Sequence, residues 1–72
     1  MRLVATFERS ADANAVHVHL AKMQIASQVD VTKDNEFEVW VLNEDNVALA
    51  NKLIAAFREK GEKAFEEFHV SQ

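Results

Sequence analysis

The sequence predicts a small α+β domain: a three-stranded antiparallel sheet in the order strand, helix, strand, strand, helix, with both helices on one face. Three observations predict it. Glu36 to Asp45 (EFEVWVLNED) is apolar on both sides of a strand and then turns polar abruptly, so it reads as a central strand running into a helix start. Ahead of it a period-two run, a helical stripe and a second period-two run follow one another, and behind it comes another helical stripe. With no proline and one glycine in 72 residues, nothing marks a linker, so the chain is expected to fold nearly end to end.

Leu3, Ala5 and Phe7 alternate with Arg2, Val4 and Thr6, the period of a half-buried strand that Glu8-Arg9-Ser10 then closes. Ser10 or Asp12 is placed to cap a first helix running to about Met23. In it Ala13, Val16, Leu20 and Met23 form an inward stripe, with His17 at its border and Val18 on the far side. Ile25, Ser27, Val29 and Val31 alternate with Ala26, Gln28, Asp30 and Thr32, which predicts a second strand with one buried face. Lys33-Asp34-Asn35 tolerates turn geometry and joins it to the central strand as an antiparallel hairpin. In the central strand Phe37, Val39 and Val41 line one face, while Trp40 and Leu42 reach the other.

Asn43 or Asp45 can cap the second helix, Glu44 and Asp45 suit its positive end, and Arg58 and Lys60 its negative end before a stop at Gly61. Val47, Ala50, Ile54 and Phe57 make its inward stripe, with Leu49 and Leu53 round the side. The expected division is one compact domain over 1–61 and a tail over 62–72, irregular or helical, that either packs Phe65 and Phe68 on the core or leads to a following segment. A chain this short buries only about 60% of the surface its unfolded form exposes, so the core is small.

Composition removes several function classes. Without cysteine there is no disulfide framework and no thiolate zinc site. A net charge of −4 opposes binding to nucleic acid or anionic lipid, which need basic patches, so neither is expected as a partner. No apolar run approaches the ~20 residues that span a bilayer, and Met1-Arg2-Leu3 lacks a secretory leader, so the expectation is a soluble, cytoplasmic segment that does not itself insert into a membrane.

Chemistry-bearing residues are few, and no catalytic, cofactor-binding or metal site is expected. His17 and His19 point ~200° apart on a helix and cannot share an ion, so they read as separate surface or border histidines, and His69 has no evident partner. Ser10, Ser27 and Ser71 sit in no glycine-framed elbow. The acidic pairs Glu36 and Glu38, Glu44 and Asp45, and Glu66 and Glu67 lack calcium-loop spacing and read as solvated faces or helix-dipole partners. Trp40 stands out, since an aromatic on the sheet face opposite the helices has no obvious cover. Either Trp40 and Leu42, with Val4, lie in an interface with another domain or a second copy, or the phenylalanine-bearing tail folds over them. Three strands leave open edges, which adds homodimer formation to the expectations.

Phe7 at the end of strand one, Val16-His17-Val18-His19-Leu20-Ala21, Glu38-Val39-Trp40-Val41 followed after two residues by Glu44, and Phe57 together resemble the N-terminal cytoplasmic domain of bacterial rhomboid intramembrane serine proteases of the GlpG type. The resemblance covers residues 3–57. It departs at Gln24, where the family commonly has glycine, and at Gly61-Glu62-Lys63-Ala64-Phe65, where the family has a proline-containing segment. It implies a non-catalytic domain at the cytoplasmic face of the bacterial inner membrane that positions, regulates or assembles the membrane-embedded protease domain of the same polypeptide. The protease's catalytic serine and histidine would lie beyond residue 72, and no serine or histidine of this chain matches them. The competing reading is a free-standing module that transduces a signal or binds a ligand or protein.

Overall fold

The computed structural model describes residues 1–68 and has the expected architecture. Strand β1 (Arg2–Phe7), helix α1 (Ser10–Lys22), strands β2 (Ser27–Val31) and β3 (Phe37–Val41) and helix α2 (Val47–Lys60) follow one another, and the sheet order is β1-β3-β2 with both pairings antiparallel. The two-sided stretch therefore occupies the centre. Val39 and Val41 are fully buried beneath the helices, in one cluster with Ala5, Phe7, Val16, Leu20, Leu53 and Ile54.

Strand β1 does not keep a strict alternation. Its register moves from Leu3 opposite Trp40 to Ala5 opposite Val39, so Val4 is an extra residue, a β-bulge. The bulge changes the phase of the strand. Ala5 and Phe7 are buried under the helices as expected, whereas Leu3 falls on the opposite face and Val4 packs, half-buried, against the core.

Helix α1 starts without a side-chain cap: Arg9 is the N-cap residue, and its carbonyl accepts from the N–H groups of Asp12 and Ala13. Neither Ser10 nor Asp12 caps it, although Asp12 in the first turn meets Arg9 at 3.4 Å. The other end is a Schellman motif. The Ile25 N–H donates to Leu20 O at 2.8 Å and the Gln24 N–H to Ala21 O at 2.9 Å, with Gln24 left-handed at φ 65° and buried Ile25 and Leu20 supplying the motif's apolar pair. A glutamine thus holds the position that glycine prefers.

The hairpin turns through Thr32 to Asn35, where the Asn35 N–H donates to Thr32 O at 3.1 Å and Asn35 takes φ 61°. Thr32 Oγ1 accepts from the N–H groups of Asp34 and Glu36, which fixes the turn with a residue the sequence places in the strand. Ahead of α2, Asn43 Oδ1 accepts from the Asp45 N–H at 2.9 Å, capping a 3₁₀ turn (Glu44–Asn46) rather than α2 itself. The inward stripe of α2 is Ala50, Leu53, Ile54 and Phe57; Leu53 is fully buried and Val47 only half-buried, a rotation of the stripe from the expected one.

The helix ends at Gly61 (φ 67°), and a 3₁₀ segment (Gly61–Glu66) doubles the chain back along it. Its Ala64 is fully buried, and Phe65 and Phe68 pack on the core, so the folded unit continues past residue 61. His69, Val70 and Ser71 lie outside the described residues.

Candidate interaction face

Both helices and the 3₁₀ segment cover one side of the sheet, and among the described residues no element covers the other. Its outward positions follow from the register. Leu3, Trp40 and Gln28 make one cross-strand row, and Thr6, Glu38 and Asp30 the next. Leu42, one residue past β3, keeps the alternation and donates its N–H to Ala26 O at 3.1 Å. Leu3 is 41% and Leu42 46% exposed on either side of a half-buried Trp40, which gives a contiguous apolar strip where a monomer usually presents polar side chains.

Of the three residues expected in an interface, the structure brings Trp40 and Leu42 together and leaves Val4 on the other side of the bulge, against the core. Leu3 takes its place opposite Trp40. The expectation that the tail covers the strip is not met within the described residues: Phe65 stacks on His19 and Phe57, with ring centroids 4.4 and 5.3 Å apart, on the helical side. The Trp40 Nε1–H is shielded from solvent and has no acceptor among the described residues, where packing holds the indole. An orphan donor of this kind costs about 1–3 kcal/mol, which the strip's burial of apolar surface has to offset.

The histidines go separate ways. His17 Nδ1 lies 2.6 Å from Ser27 Oγ, tying α1 to the edge strand β2 beside a shallow cavity of about 360 Å³ that Gln24 and Ala21 also line. A nucleophilic serine needs a base oriented by a third group and donors for the oxyanion. Among the described residues no side chain hydrogen-bonds the other nitrogen of His17, so the pair stands as a tie between two elements. His19 is buried rather than at the surface or border: its Nε2–H donates to the Phe68 carbonyl at 2.8 Å and its ring stacks on Phe65. The signal for it was present, since His19 follows Val16 by three residues and precedes Leu20 on the inward stripe.

No family model, no curated protein and no solved structure matches the chain.

Two further exposed ion pairs lie at the margins. Arg2 Nε meets Glu44 at 3.1 Å, and Lys60 pairs with Glu67, whose hydrogen bond and charge hold the lysine above its ordinary pKa. Arg58 lies over the Phe7 ring at 4.7 Å and donates to Thr6 O. Among the described residues no three histidine or acidic side chains converge as a metal would require, and no helix is long and apolar enough to cross a membrane.

Proposed function

We propose that this chain is a non-catalytic interaction domain that positions, regulates or assembles an adjoining partner through the open face of its sheet. The observation that supports it is the uncovered strip of Leu3, Trp40 and Leu42 on a sheet whose other face buries Ala5, Phe7, Val39 and Val41 beneath the helices. Covering that strip removes apolar surface from water at about 25 cal/mol per Å², and tryptophan is among the residue types enriched at the energetic centres of such contacts. On the resemblance to the rhomboid N-terminal domain, the partner is the membrane-embedded protease domain of the same polypeptide, at the cytoplasmic face of the bacterial inner membrane. Catalysis then belongs to that partner.

Two measurements test this reading. The gene sequence past the codon for Gln72 should encode membrane-spanning segments that carry the catalytic serine and histidine; a stop codon there removes the rhomboid form and leaves a free-standing binding module. In the full-length protein, a photo-crosslinking amino acid at position 42 should join to downstream sequence and the same group at position 49, on exposed α2 surface, should not. The purified 72-residue chain is expected to hydrolyse no peptide. Hydrolysis abolished by Ser27→Ala or His17→Ala would overturn the non-catalytic reading.

A further inference from the structure

The charge on the open face restricts what it can bind. Its outward strand positions are Leu3, Thr6, Gln28, Asp30, Glu38 and Trp40, and those that are charged are both acidic. Asp30 and Glu38 are direct cross-strand partners, which brings their Cβ atoms to about 5 Å and makes the pair mutually destabilising. The Gln28 amide donates to both Asp30 oxygens, at 3.0 and 3.1 Å, whereas the half-buried Glu38 carboxylate has no hydrogen bond or ion pair among the described residues. Of the chain's eight lysines and arginines, Arg2 pairs with Glu44, Arg9 with Asp12 and Lys60 with Glu67, and Arg58 lies on Phe7, while Lys33 stands in the hairpin turn; among the described residues none forms an ion pair with Glu38 or Asp30.

We infer that the open face docks a protein segment that presents apolar side chains beside lysine or arginine. This rests on the docking reading above and adds the partner's chemistry to it. The apolar side chains lie on Leu3, Trp40 and Leu42, and a cation sits between Glu38 and Asp30. Trp40 and Glu38 are two residues apart on one strand, so the partner's apolar and cationic groups lie about 7 Å apart. Residues two apart on a strand or three to four apart on a helix meet that spacing closely enough. A second copy of the chain would add its own Asp30 and Glu38 to a face that already holds two carboxylates, and phospholipid headgroups of negative charge are repelled by the same row.

Trp40 is the chain's single tryptophan, so its fluorescence reports directly on this face. The probe is an amphipathic leucine–lysine peptide with leucines on one side, compared with a twin carrying glutamate for lysine. The expected result is a saturable shift of Trp40 emission with the lysine peptide alone. Glu38→Gln with Asp30→Asn should weaken that binding roughly tenfold, and Asp34→Asn, which removes a carboxylate in the hairpin turn, should leave it unchanged. Equal binding of both peptides, or no loss in the double variant, overturns the inference while the docking reading stands. No shift with either peptide also overturns it, and the position-42 crosslink then judges the docking reading separately. A shift on adding phosphatidylglycerol vesicles, or a dimer in sedimentation that dissociates in Trp40→Ala, overturns it in favour of a lipid surface or a second copy.

Discussion

The two faces of this one sheet differ more than any two elements of the chain. On the helical side Val39 and Val41 are fully buried and Ala5 and Phe7 nearly so, closed over by Val16, Leu20, Leu53 and Ile54. On the other side Leu3 and Leu42 are more than two-fifths exposed, Trp40 leaves a donor unpaired among the described residues, and two carboxylates face each other across neighbouring strands. Burial is concentrated on the first face where β1 and β3 meet the helices, although Val31 at its β2 edge is 62% exposed. The second carries features that weaken a small domain, and the proposed contact is placed there for that reason.

The largest effect expected on this comparison comes from the buried side. Leu53→Ala should destabilise by about 2–5 kcal/mol, a large share of what a domain of this size holds, because Leu53 is fully buried between α2 and the sheet. Leu49→Ala, four residues earlier on exposed helix surface, should change stability by no more than about 0.5 kcal/mol. Urea unfolding of both decides it, and comparable losses would break the assignment of the packed face.

That pair also shows what the sequence could and could not tell. The element order, the central place of Phe37 to Val41 and the hairpin were legible because period two and period 3.6 are imposed by burial on every residue of an element. The phase of α2 was harder. Val47, Ala50, Ile54 and Phe57 and the observed Ala50, Leu53, Ile54 and Phe57 share three members, and only the 3₁₀ turn ahead of the helix, which leaves Val47 half-buried at its start, chooses between them. For the site, Trp40 and Leu42 were legible from two-sided apolarity in β3, whereas Leu3 was not. Nothing in Leu3-Val4-Ala5 announces a bulge, and one inserted residue exchanges which side chain faces out. The Asp30 and Glu38 pair depends on a register that the turn sets, so it too became visible only in three dimensions.

A smaller effect concerns the clasp that keeps the C-terminal segment on the helical side. His19→Ala removes the hydrogen bond to the Phe68 carbonyl and the stack on Phe65, and should cost about 1–3 kcal/mol. Amide exchange would accelerate in Gly61–Glu66 before it does in β3. Equal acceleration in both would mean that the segment and the core open as one unit, and that the closed face has no separable margin.

Smaller again, and opposite in sign, is Gln24→Gly. A left-handed residue with a Cβ is strained by about 1–2 kcal/mol, and glycine returns part of that gain as lost chain entropy. Thermal unfolding should show a stabilisation of about 0.5–1 kcal/mol. A loss instead would mean that the glutamine side chain makes a contribution at the end of α1 that outweighs its backbone strain.

The smallest effect belongs to the open face and sharpens the comparison most. Glu38→Gln keeps the size of the side chain, and the amide can donate to Asp30, so a repulsive cross-strand pair becomes an attractive one. Stability should rise by a few tenths of a kcal/mol, at the lower end of the roughly 0.2–1 kcal/mol typical of such pairs, because solvent screens the exposed Asp30. The gain should shrink as salt is raised from about 50 mM to 500 mM, since the repulsion it removes is then already screened. A substitution on the helical face has no such salt dependence, which lets one urea series at two ionic strengths distinguish the faces. If Glu38→Gln destabilises the domain at low salt, its carboxylate is supporting the fold, and the open face is not the one where stability has been given up for contact.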